Sequence, residues 1–265
     1  MKNTKININE RIGATNINKQ GCLMKVVEYY ASDNIIVEFQ DEFKTRVPST
    51  WRYFSIGCIR DPYFPTVCGI GITGNKYPTK INGENVKEYQ TWRDMLRRCY
   101  DEKTRNKQQT YKDCTVCKEW LYFPNFYDWI HSQENFEKWY NTNEKWTIDK
   151  DIIHKGNKVY APENCCLVHN DINVLFTKDN KKRGMLPIGV TRNSRNHNNY
   201  IARCGDRHNK NIFICSCDNP QDAFSAYKNK KEEIIKQIAQ EEYEKGNITQ
   251  RCYEAMMNYQ VEITD

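Results

Sequence analysis

Between Lys181 and Lys210 the chain carries eight basic residues: Lys181, Lys182, Arg183, Arg192, Arg195, Arg203, Arg207 and Lys210. Asp206 is the one acid among them. Such a stretch attracts phosphate, with an affinity that falls as salt is added. From Asp218 to the last residue the balance reverses, with six basic residues against ten acids. Charge along this part of the chain is therefore polarised. A second polar set lies upstream, where Asp149 and Asp151 flank Lys150 and Asn164 and Asn173 follow. Taken alone, these read as surface carboxylates and as caps of turns and helices. Cys114 and Cys117 have the spacing of zinc ligands, but no second Cys-x-x-Cys follows. Cys165-Cys166 or Cys215-x-Cys217 would complete a site only if the fold brought them there.

The elements that must hold these residues can be read from patterning. Residues 11 to 60 read as a small β unit with three β-prone runs: Val26 to Tyr30, Ile35 to Phe39, and Arg46 to Phe54. Ser32-Asp33-Asn34 supplies turn chemistry between the first two. A small SH3-like barrel or sheet is expected there. Gly69, Gly71, Gly74, Pro78 and Gly83 mark residues 69–84 as a linker. Residues 85–140 read as mainly helical. Tyr89, Trp92, Met95, Leu96, Cys99 and Tyr100 recur at three- and four-residue steps and form one apolar face. The aromatic run from Trp120 to Trp139 is core material.

The segment Trp146-Thr147-Ile148-Asp149-Lys150-Asp151 is followed by Gly156-Asn157, then Pro162-Glu163-Asn164, then Asn173. It resembles an HNH nuclease motif, which is a strand, a loop, a second strand and a helix folded as ββα. That family hydrolyses phosphodiesters with a divalent metal and a base that activates water. Carried over by position, the resemblance makes Asp149 and Asn173 the metal ligands, for Mg2+ or Mn2+. It makes Asn164 the brace of the loop and puts Lys150 at the general-base position. The family has a histidine there, and a lysine is an ammonium at neutral pH, better suited to stabilising a phosphate than to accepting a proton. His154 and His169 are the nearby alternatives. Strand alternation would place Asp149 and Asp151 on one face and Lys150 on the other.

Downstream, Pro187-Ile188-Gly189-Val190 opens one strand, Tyr200-Ile201-Ala202-Arg203-Cys204 forms a second and Ile212-Phe213-Ile214-Cys215 a third. Asn219-Pro220 then starts a long helix, to about Gly246, that carries Ala223, Phe224, Ala226 and Tyr227. This order resembles the three-strand-plus-helix DNA-binding domain of the Apetala-type ethylene-response factors, which in phages is often appended to HNH homing endonucleases. The resemblance covers about residues 183–240. It implies that the sheet enters the major groove, that Arg192, Arg195 and Arg203 reach bases, and that Tyr200 and Arg207 support them. The tryptophans of the plant domains are missing from these strands.

The 265 residues carry a net charge of +6, with 28% charged and 38% hydrophobic residues. No apolar run approaches the length of a membrane span, and residues 1–10 lack the apolar core of a signal peptide. A cytoplasmic protein with reduced, buried cysteines is expected, although the chain holds twelve. The expected fold is α+β: a small SH3-like β unit over 1–68, a linker over 69–84, a helical region with the ββα motif over 85–180, and the Apetala-type sheet and helix with a C-terminal tail over 181–265. The leading expectation is a phage-type, metal-dependent, HNH-like endonuclease acting on double-stranded DNA. Its rival is a catalytically inactive DNA-binding protein that keeps the nuclease fold for a regulatory or anti-defence role.

Overall fold

The structure is a computed structural model that describes residues 10–176, 185–194, 199–207, 211–263 and 265. Helices and several small sheets coexist, so the class is α+β. The chain divides into two compact units. One joins 1–104 with 118–127, and the other joins 105–117 with 128–265. This division cuts across the four segments expected from the sequence, because the helical region contributes to both units.

In the first unit, β1 (Thr15–Ile17), β2 (Leu23–Ala31), β3 (Asn34–Phe39) and β4 (Arg46–Ser49) form an antiparallel meander. Alternating side chains Met24, Val26, Ile35, Val37 and Phe39 are buried on one face, with Phe54 and Ile59. The third β-prone run ends earlier than its composition suggests. The Thr50 side chain accepts the Tyr53 amide and caps a helical turn, α1 (Trp51–Ser55). The glycine-rich stretch 69–84 is folded, not a spacer. Asn82 and Gly83, both at positive φ, turn β5 (Lys80–Ile81) back onto β6 (Glu84–Asn85). A side chain at Gly71 would collide with Leu96 and Trp92. Both belong to α2 (Lys87–Tyr100), which buries Trp92, Met95, Leu96 and Cys99.

Four further short elements follow along the chain: α3 (Glu102–Lys107), β7 (Thr115–Val116), α4 (Phe123–His131) and α5 (Phe136–Tyr140). In the second unit β7 pairs in parallel with β9 (Val159–Tyr160). β8 (Trp146–Asp149) pairs antiparallel with β10 (Cys166–His169), with Asp149 opposite Cys166, and α6 (Asn170–Leu175) follows directly. β11 (Val190–Arg192), β12 (Tyr200–Gly205) and β13 (Asn211–Cys217) form the three-stranded sheet. α7 (Pro220–Glu244) starts where Asn219 accepts the Asp222 amide, with Pro220 at its first position. It packs Ala223 and Tyr227 against the face that carries Val190, Ala202 and Cys204.

The tail is folded as well. Thr249 caps α8 (Gln250–Met257), whose Cys252 and Met256 join the same core. The Lys228 ammonium donates to the Val261 carbonyl at 3.0 Å. None of the twelve cysteines forms a disulfide, although the Cys215 and Cys217 sulfurs on β13 lie 3.4 Å apart. No helix among the described residues is long and apolar enough to cross a membrane.

Candidate functional site

β8 ends at Asp149 because the side chain takes over the backbone's hydrogen bonding. Asp149 Oδ1 accepts the amides of Asp151 and Ile152, each at 2.8 Å. This turn breaks strand alternation, so Asp149, Lys150 and Asp151 all border one cavity of about 360 Å3 instead of splitting between faces. Asn173, from the second turn of α6, borders it too. So do Thr110, Tyr111, Lys158 and Tyr160. The ββα order therefore brings the two expected metal ligands to a common cavity. Asn164 does not border it. Its amide donates to the Val159 carbonyl at 3.1 Å and to Asn157 Oδ1, while Asn157 donates to the Lys150 carbonyl at 2.7 Å. Asn164 thus braces the loop that carries Lys150.

The electrostatics centre on two carboxylates. Asp149 is 6% exposed. Burial pushes its carboxyl up to about 7, the charge of Asp151 adds to that rise, and the two amide hydrogen bonds oppose it. Lys150, 7% exposed, holds its ammonium 3.5 Å from Asp151 Oδ2 and 5.9 Å from the centre of the Tyr160 ring. No histidine borders the cavity among the described residues. His154 lines a different groove, and His169 Nε2 pairs with Glu144 at 2.7 Å.

The donors fit a hard divalent cation. The charge of Asp151 raises the proton affinity of Asp149, which favours a positive charge beside the pair, and Asn173 borders the same cavity. Among the described residues no three His, Cys, Asp or Glu side chains converge as a metal cage. A Mg2+ here would therefore keep waters or substrate oxygens among its ligands, as that ion commonly does. Cys114 and Cys117 belong to no such group either.

The three-stranded sheet sorts the expected DNA contacts by face. Arg192 lies opposite Tyr200, with its guanidinium 5.5 Å from the ring centre, and Tyr200 packs on the core side. Arg203 lies opposite Phe213, three residues beyond Tyr200, and so projects from the opposite face. That open face carries Thr191, Ile201, Arg203, Ser216 and Phe213, which is 58% exposed. Arg192 and Arg203 therefore do not form one row. Thr191 was legible from alternation but carries no charge to draw attention, whereas Phe213 reaches the open face through the bulge between Ala202 and Arg203.

Arg207 is committed elsewhere. It donates to the carboxylate of Asp171 and, at 2.6 Å, to Glu242, which has no exposed surface. Two acids neutralise this guanidinium, which reduces what it can offer a phosphate. Arg195, with Lys181, Lys182, Arg183 and Lys210, lies outside the described residues.

No family model, no curated protein and no solved structure matches the chain.

Proposed function

We propose that this protein is a metal-dependent, HNH-like endonuclease that binds double-stranded DNA through its three-stranded sheet. The observation that carries the reading is the convergence of Asp149, Lys150, Asp151 and Asn173 on one cavity at the end of a ββα unit. Asp149 and Asn173, with Asp151 beside them, would hold Mg2+ or Mn2+. Such an ion stabilises charge on the scissile phosphate and on the leaving oxygen. Lys150, fixed between Asp151 and Tyr160, presents a positive charge to the same phosphate, and Lys158 adds a second from β9's leading edge. Asn164 positions this group through Asn157. On the sheet, Arg203 supplies the charge of the open face, and Phe213 and Ile201 supply apolar contact, a composition suited to base edges in a major groove.

The test is purified protein on supercoiled plasmid with Mg2+ or Mn2+, with and without chelator. Metal-dependent nicking that disappears in Asp149→Ala, while duplex binding persists, supports the reading. A second reading rests on one observation: no histidine among the described residues borders the cavity. On that reading the nuclease fold is a scaffold for DNA binding alone, in a regulatory or anti-defence role. Duplex binding without nicking under any metal would favour it. Restoration of nicking by Lys150→His would identify Lys150 as a lost base position.

A further inference from the structure

A lysine stands where α7 needs an apolar residue. The helix buries Ala223, Tyr227, Ile234, Ile235, Ile238 and Ala239, and position 231 lies on that stripe, four residues from both Tyr227 and Ile235. Lys231 is only partly exposed, and its ammonium makes no hydrogen bond or ion pair among the described residues. Burial pushes the ammonium below the ordinary lysine value, and the Cys204 thiol near it is itself held neutral by burial. A cation in this position costs stability unless an anion compensates it.

Space for an anion is present. A cavity of about 370 Å3 opens beside Lys231, between β11, the end of α6 and the C-terminal segment. Tyr227 and Ile188 supply apolar wall, and Phe176 meets Tyr259 edge to face at 4.9 Å. Thr191 and Asn211 add polar groups. Two acids border the cavity. Asp265 is neutralised by the Lys155 ammonium at 2.8 Å, and Asp206 sits at the end of β12. The position of Tyr227 is enforced: Gly189 has a φ of +74°, and a side chain there would overlap the Tyr227 ring.

The geometry points to a binding site for a small organic anion, a phosphate or carboxylate carried on a ring-sized apolar body, with Lys231 as its counter-charge. An aromatic-walled cavity of this volume, bordered by Lys231 and Arg203, has the proportions of a small-molecule site. It shares only Phe176 with the Asp149 cavity and does not depend on nuclease activity. Because β11 and β12 form its wall and Arg203 borders it as well, an occupant would stiffen the sheet proposed to meet DNA.

The test uses the full chain and two probe pairs: adenosine 5′-monophosphate against adenosine, and benzoate against benzyl alcohol. Calorimetry gives affinity, and methyl NMR shifts of Ile188, Val190 and Val261 report location. At least one anion should bind about tenfold or more tightly than its neutral partner, a charge-assisted gain of ordinary size, and should shift those methyls. Lys231→Met should abolish the preference and raise the melting temperature of the ligand-free protein. If Lys231→Met does not fold, the discrimination between anion and neutral analogue in the wild type decides alone. Equal binding of the two members of both pairs overturns the proposal. So does unchanged anion affinity in a folded Lys231→Met. Loss of duplex affinity in Lys231→Met, with no binding of either anion, would also overturn it, making Lys231 a contact for the DNA backbone.

Discussion

At the scale of single residues, arginines of one sequence stretch do different work. Arg207 bridges Asp171 and the fully buried Glu242, and Lys245 and Asn247 complete the shell of Glu242. Arg207→Ala should therefore destabilise the fold by about 3 kcal/mol in urea denaturation, since it strands a buried carboxylate. Arg203→Ala should leave that stability nearly unchanged and weaken duplex binding by about 1–3 kcal/mol in a gel-shift titration. If the two variants behaved alike in both measurements, the assignment of Arg207 to the core and Arg203 to the open face would be wrong. Glu242 also sets an acid limit. Burial alone would raise its carboxyl, but hydrogen bonds from Arg207, Asn247 and Lys245 outweigh that and hold it down at about 2, against an ordinary value of 4.5. A depressed carboxyl contributes its stability above pH 4.5 and loses it as pH falls towards 2. The melting temperature should accordingly fall more steeply over that window in the wild type than in Glu242→Gln.

At the scale of elements, the sheet-to-helix contact rests on a glycine. Gly189 precedes β11 in a left-handed conformation, and the Tyr227 ring of α7 occupies the space where its side chain would be. Gly189→Ala imposes both backbone strain and overlap with a ring. It should cost about 2 kcal/mol or more and lower the melting temperature by several degrees. An unchanged melting temperature would mean that α7 does not seat on the sheet as described. The three strand-like runs and the Asn219-Pro220 start marked this neighbourhood as strands followed by a helix, and β11 to β13 and α7 form there. The patterning gave no hint that α8 would fold back onto the same core, because the eight residues of Gln250–Met257 make too short a run for their periodicity to stand out.

For the whole molecule, charge and redox state are the testable properties. Basic residues crowd the stretch from Lys181 to Lys210, and the following segment is acidic. Duplex affinity should therefore fall linearly on a log–log plot against salt, with a slope of roughly −3 or steeper if several phosphates are contacted. A flat salt response would exclude backbone contacts as the main source of affinity. The cysteines form no disulfides, and Cys166, Cys204 and Cys252 lie in the core of the second unit. Alkylation under denaturing conditions, after purification in reductant-free buffer, should trap all twelve as free thiols. The adjacent sulfurs of Cys215 and Cys217 are the pair to watch for oxidation.

The α+β class, the apolar stripe of α2, the long α7 and the ββα order around Asp149 were all legible in the sequence. Periodicity, capping residues and glycine positions act over a few neighbouring residues, and a linear reading captures such effects. What remained for the tertiary structure were the properties set by partners far along the chain. The Asp149 side chain ends its strand and turns Lys150 and Asp151 into one cavity, which a two-residue alternation could not foresee. The glycines of 69–84 looked like a linker, yet Gly71 is small because Trp92 and Leu96 press on it. Arg207 looked like a free cation until Asp171 and Glu242, more than 30 residues away on either side, were seen to claim it. Lys231 carried no signal in the sequence, and only the packing of α7 on its sheet sets it beside a cavity. Local backbone preference decides which elements form. Burial and charge compensation, which need the whole chain in place, decide which of their side chains are left to act.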